Sequence, residues 1–228
     1  MHNVSIISTQ HSEIGACTTL ELLKIFERIN PDVIFEEIPP SRYNFIYYVT
    51  DQKGLETEAV KLFIQKKNIP HIPIDIDYQL NNEEFWKDVD IMLYAFNENN
   101  IEYSNNNKIM KDLVAEKGFS YLNSDECVKI LERQERIEIE QLKKWRDDKM
   151  LSIYRTWKDL HFKREVSWVY AIYGFCRQLK FLNAILYCGV QHSHSVFKRI
   201  PKMQHVFDIE INWKFNDLPG LNTHGNLR

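Results

Sequence analysis

Several features missing from the sequence narrow it first. The four cysteines, Cys17, Cys127, Cys176 and Cys188, are widely scattered and form no C-x-x-C pair. That fits buried free thiols in a reducing compartment better than a disulfide framework. No window approaches the roughly 18 uninterrupted apolar residues of a membrane span. The opening "MHNVSIISTQHSE" has no basic leader region, and its apolar run is too short for a signal peptide. A soluble, cytoplasmic protein is expected. No Walker loop, G-x-G-x-x-G, H-E-x-x-H or G-x-S-x-G pattern occurs, which removes the commonest nucleotide, zincin and α/β-hydrolase readings. The net charge of −3 is far from the basicity of a dedicated nucleic-acid binder.

What remains is a chain of 228 residues with a 44% apolar fraction, enough to bury a substantial core. Its charge is uneven: residues 1–120 carry 11 basic and 19 acidic groups, residues 121–228 carry 18 and 13. The mildly basic second half would favour an anionic ligand. Apolar Val4–Ile7 reads as a strand buried on both faces. Thr18 or Thr19 can cap a helix with Leu22, Leu23, Phe26 and Ile29 at helical spacing, stopped by Asn30-Pro31. "DVIFEEIPP", a helix around Glu56–Lys67 and "IPHIPIDID" complete a β-α-β-α-β half over residues 1–80. Residues 81–182 read as a helical insertion. Within it the Asn-rich "NENNIEYSNNNK" reads as a solvated loop, and helices are expected over about 125–157 and 167–180. Residues 183–228 return to the sheet through Ala184–Cys188 and an edge strand in "HVFDIEINWKF", then end in a frayed tail. The expected fold class is α/β, with a mixed, largely parallel sheet flanked by helices.

Two stretches carry the candidate chemistry. "VSIISTQHSEIG" and "NAILYCGVQHSHSVFKRI" each run an apolar strand into Gln-His-Ser. In open α/β sheets ligands bind beyond the carboxyl ends of strands, so His11, Glu36 or Glu37, Asp75 or Asp77, and His192 gather on one rim. A lone His after a strand is more often a polar turn residue. His192 gains from Gly189 before it, which permits close backbone approach, and from the helix N-terminus beside it; His194 is its rival. Strand alternation lets only one of Glu36 and Glu37 face the rim, and Arg42 could pair with that carboxylate. Asp75 and Asp77 share an orientation; a helix cap or loop contact is the commoner use of such a pair. "YRTWKDLHFKR" interleaves aromatic and basic residues as single-stranded nucleic-acid binders do, but an amphipathic helix gives the same string. Nucleic acid is therefore not the expected partner; a small molecule or peptide is.

With these motifs in view, the chain resembles the TraB/PrgY/Tiki-like superfamily, which is related to erythromycin-esterase-like and haem-binding ChaN-like proteins. That group pairs two G-x-x-H turns with a Glu in a pattern like P-D-x-x-x-x-E-L-C-x-x-R. Here the pattern runs Pro31-Asp32 to Glu37 and Arg42; the second turn is Gly189-Val190-Gln191-His192, and the first has Ser8 in place of Gly. Arg146 to Met150 looks like the group's Arg-x-x-x-Met element. The resemblance implies a hydrolase of peptide or ester bonds using His11, Glu37 and His192, with Arg42 and Arg146 stabilising an oxyanion. It implies either a divalent metal (Mn, Co or Zn) on His11, Glu37 and His192 or a metal-free general base. A non-catalytic binding or signalling protein on the same scaffold is the alternative.

Overall fold

The computed structural model describes residues 1–50, 54–77 and 82–218. Its elements are β1 (His2–Thr9), α1 (Thr19–Ile29), β2 (Val33–Glu36), α2 (Pro40–Asn44), a π-helical turn (Phe45–Val49), α3 (Leu55–Lys66), β3 (His71–Pro73), α4 (Glu83–Asn99), α5 (Ile101–Lys117), α6 (Phe119–Leu122), α7 (Asp125–Trp145), α8 (Asp148–Gln178), β4 (Asn183–Gly189), α9 (Val190–Met203) and β5 (Ile211–Phe215). The fold is α/β. Five strands lie in the order β3-β2-β4-β1-β5, and every pairing is parallel. All strand carboxyl ends therefore face the same rim.

Strand alternation splits the core in two. Ile7, Ile34, Ile185 and Tyr187 face α1 and α3, where Leu22, Phe26, Ala59 and Phe63 close one layer. Val4, Ile6, Phe35 and Leu186 face the opposite layer, made by Trp168, Val169 and Ile172 of α8 with Val196 and Ile200 of α9. The helical insertion has a cluster of its own, in which Met92 and Phe96 of α4 pack with Tyr103, Ile137, Tyr154 and Trp157. Helix α1 begins and ends as its sequence suggests: Thr18 accepts a hydrogen bond from the Glu21 N–H, and Asn30 closes the helix at φ 49°. All four cysteines are buried and free. No described helix is long and apolar enough to cross a membrane.

The insertion departs from expectation in two ways. "NENNIEYSNNNK" spans the end of α4 and the first turns of α5 instead of forming a loop. Asn100 caps α5 by accepting from the Glu102 and Tyr103 N–H groups, Asn107 bonds Asn97 and Gln134, and Asn106 is buried. The amides of Asn97, Asn107 and Gln134 thus bond one another across helices while the buried Asn106 Nδ2 has no partner among the described residues, and the apolar stripe stays too thin to read. The helix expected over 125–157 breaks at Arg146, in the left-handed region at φ 53°. Asp147 then caps α8 by accepting from the Met150 N–H, and α8 runs unbroken to Gln178 through both expected helices. Residues 219–228, most of the expected tail, lie outside the described residues.

One junction fixes the rim. Strand β5 accompanies β1 only as far as Ile6↔Phe215. Beyond it Asn123 serves as a substitute strand: its Oδ1 accepts from the Ser8 N–H at 2.8 Å and its Nδ2 donates to the Ser8 carbonyl at 3.1 Å. Asn123 is 2% exposed, so truncation strands both backbone groups away from water. Asn123→Ala is expected to lower unfolding free energy by about 2 kcal/mol, measured by urea denaturation.

Candidate functional site

The two Gln-His-Ser turns start from neighbouring strands. β1 and β4 pair in parallel with Thr9 opposite Gly189, so the chain leaves both strand ends at the same height. Ser8 and Ser193, both buried, join their hydroxyls at 2.7 Å. The serine that replaces glycine in the first turn thereby ties β1 to α9. Gly189 does not act through unusual backbone geometry: its φ is −52°, and an added Cβ would meet neighbours only at 3.6 Å and beyond. Its contribution is its N–H, which donates to Glu37 Oε2 at 2.7 Å.

His192, in the first turn of α9, is 6% exposed and held from both sides. Nδ1 lies 3.0 Å from Glu165 Oε1. The other Glu165 oxygen accepts from Ser195 Oγ at 2.6 Å and Arg199 Nε at 2.9 Å. Burial opposes the charge on Glu165, yet these hydrogen bonds, led by the one from His192, hold its pKa below the usual carboxylate range. An ionised Glu165 takes the Nδ1 proton as acceptor, which leaves Nε2 to accept from Arg164. Nε2 faces Arg164 Nη1 at 3.4 Å and Glu37 Oε1 at 3.6 Å.

Arg164 is the hub of the rim. Its guanidinium meets Asp75 through Nε at 3.1 Å and Nη2 at 2.8 Å, and reaches Glu37 through Nη2 at 2.6 Å. It also lies over Trp168, whose indole N–H donates to Asp75 at 2.7 Å. Burial works against the guanidinium's charge, but Asp75 and Glu37 more than offset it and raise its pKa. Asp75 thus serves a structural end, while Asp77 bonds Ser41. Glu36 points to the other face, fully buried, and accepts from Tyr187 at 2.6 Å, with His71 Nδ1 also at 2.6 Å. Alternation therefore selects Glu37 for the rim.

Four of the five expected residues line one cavity of about 520 Å3: His11, Glu37, Arg42 and His192. Arg146 does not; it is exposed at the end of α7. The arginine at the site is Arg164, eighteen residues later. His11 also sits differently from expectation. Its side chain is 85% exposed, with Nδ1 3.4 Å from buried Glu56. Glu56, chiefly through its hydrogen bond, raises the His11 pKa above its ordinary 6.5.

These positions bear on metal binding. A cation shared by Glu37 and His192 would have to enter where the Arg164 guanidinium already bridges them, and His11 is engaged with Glu56. A cation on His11, Glu37 and His192 would need Arg164 to move aside and His11 to leave Glu56. A different group could hold a metal ion: His161, Glu165 and His192 offer atoms all within 4.8 Å of one another. The His161 ring lies 4.4 Å from that of His192. Burial foremost pushes its pKa down to about 2, and a neutral imidazole is the form a metal binds.

His161 and Arg164 belong to the basic-aromatic string, and Glu165 follows it directly, so all three read as a solvated helix face. One signal was present: 161, 165, 168 and 172 fall in one helical phase, so a His and a Glu interrupt an otherwise apolar stripe. Replacing Glu56 with Gln is expected to return the His11 pKa toward 6.5, followed by the imidazole resonances in an NMR titration. No family model, no curated protein and no solved structure matches the chain.

Proposed function

We propose that the chain is a hydrolase of peptide or ester bonds, of TraB/Tiki-like character, with His192 as its general base. The observation that carries this reading is the Glu165–His192 pair, 3.0 Å apart, with Nε2 turned toward the cavity wall formed by Glu37 and Arg164. A base needs an orienting partner on one nitrogen and a lone pair on the other; Arg164 Nη1, which faces Nε2 at 3.4 Å, would turn from that lone pair to the substrate as water takes its place. A water in the cavity would lose its proton to Nε2 as its oxygen attacks the carbonyl carbon. Glu165 would stabilise the imidazolium so formed. Arg164 Nη1 and Arg42 would donate to the developing oxyanion, and Glu37 would hold Arg164 in place. Collapse of the tetrahedral species would return the His192 proton to the leaving amine or alkoxide.

A second reading rests on the His161, Glu165 and His192 group. A divalent cation there, Mn2+, Co2+ or Zn2+, would supply a bound water acidified to near neutrality. The alternative of a non-catalytic binding or signalling protein predicts tight ligand binding without turnover.

A screen of amide and ester substrates with purified protein tests the proposal. His192→Ala is expected to lower kcat at least about a hundredfold. Glu165→Gln is expected to lower kcat with little change in KM and to alter the pH profile, the signature of a positioning residue. Activity that survives in His192→Ala sinks the proposal. Chelation followed by calorimetric metal titration separates the two mechanisms. The metal-free reading expects full activity after chelation; the metal reading expects stoichiometric binding that Glu165→Gln weakens.

A further inference from the structure

A second cavity, of about 450 Å3, lies on the far side of the His161 and Gln191 wall, for those two residues line both spaces. His192 lines the first cavity and Glu165 the second, so the base and its orienting carboxylate stand in the partition itself. A substrate cleaved beside His192 would have room on either side.

The charges of the second cavity do not cancel. Four carboxylates line it, Glu132, Glu135, Glu138 and Glu165. Three have cationic partners: Lys198 for Glu132, Lys158 for Glu135 at 2.6 Å, and Arg199 for Glu165 at 2.9 Å. Glu138 has none among the described residues. It is 7% exposed and is held only by two phenols, Tyr103 at 3.2 Å and Tyr154 at 3.1 Å. Burial raises its pKa and outweighs the help of Lys158, which acts on it only through space. Trp157 and Tyr103 line the same cavity. The faces of Trp157 and Tyr154 already attract an ammonium group, that of Lys158, at 5.8 and 6.0 Å. A buried carboxylate ringed by aromatic faces is the chemistry that binds an alkylammonium ion.

We propose that the second cavity is a subsite for a primary ammonium group, with Glu138 as its counter-charge and Tyr103 and Trp157 as its walls. That the ammonium belongs to a substrate rests on the hydrolase reading; the site itself does not. The ammonium source is either the α-amine of a peptide or a lysine side chain. Both are chemically the same cation to Glu138.

Calorimetry with three probes tests this: alanyl-alaninamide, its N-acetyl counterpart, and N-acetyl-lysinamide. At least one cationic probe is expected to bind at least tenfold more tightly than the neutral one and to shift the Trp157 indole N–H resonance. Which of the two binds identifies the source. Glu138→Gln, checked for folding by circular dichroism, is expected to abolish the preference. Should that variant not fold, the wild-type contrast and the Trp157 shift decide alone. Equal binding of all three probes, no detectable binding, or a preference kept in Glu138→Gln overturns the inference. Loss of all turnover with ammonium binding intact overturns the hydrolase reading instead.

Discussion

Arg164 carries a full charge into a site only partly open to water, and the rim can exist only because two carboxylates meet it there. Desolvating such a group is costly unless geometry and hydrogen bonding compensate. Asp75 and Glu37 do so with three charge-assisted contacts, while Trp168 supplies a ring face and fixes Asp75 in turn. This cluster joins the chain just past β2, the chain just past β3 and the middle of α8. It also leaves Arg164 Nη1 directed at His192. The base, its cavity and the docking of the helical layer on the sheet therefore share one electrostatic requirement.

That requirement also decides how cations can be used here. A guanidinium between Glu37 and His192 would do by hydrogen bonding what a metal would do by coordination, concentrating positive charge where the proposed reaction develops an oxyanion. It is permanently charged and needs no loading. The neighbouring His161, Glu165 and His192 group offers softer donors on the other side of the same imidazole. His192 thus stands between a fixed organic cation and a possible inorganic one, and can serve only one role at a time.

Much of the rim was legible in the sequence. Apolar strands followed by Gln-His-Ser, and the period-two rule that separates Glu36 from Glu37, place His11, Glu37 and His192 on one side of a parallel sheet without any coordinates. The helical contribution was not legible. Arg164 and Glu165 reach the site from a helix whose charged string looks like a solvated surface, and the one local sign of a buried face, the shared phase of 161, 165, 168 and 172, is itself broken by a His and a Glu. Arg146 was favoured by a five-residue pattern, too short to distinguish a helix end from a helix centre. The asparagines around α5 misled for a related reason: Asn100 caps backbone N–H groups and Asn107 bonds other amides, uses that composition counts as affinity for water. Local periodicity reports burial only where the buried face is apolar.

Helix α8 has 31 residues and is about 46 Å long at the standard rise per residue. Trp157 and Lys158 of the second cavity, His161 of the partition, and Arg164 and Glu165 of the reaction site follow one another along this single rod. Side chains on a common stiff axis cannot shift independently. A substitution that tilts the rod to admit a bulkier group in one chamber also moves the residues that hold the base in the other. On the proposed reading selectivity and rate would therefore be mechanically linked, and an engineer who wants to alter one should change side chains at the cavity walls and leave the helix axis alone.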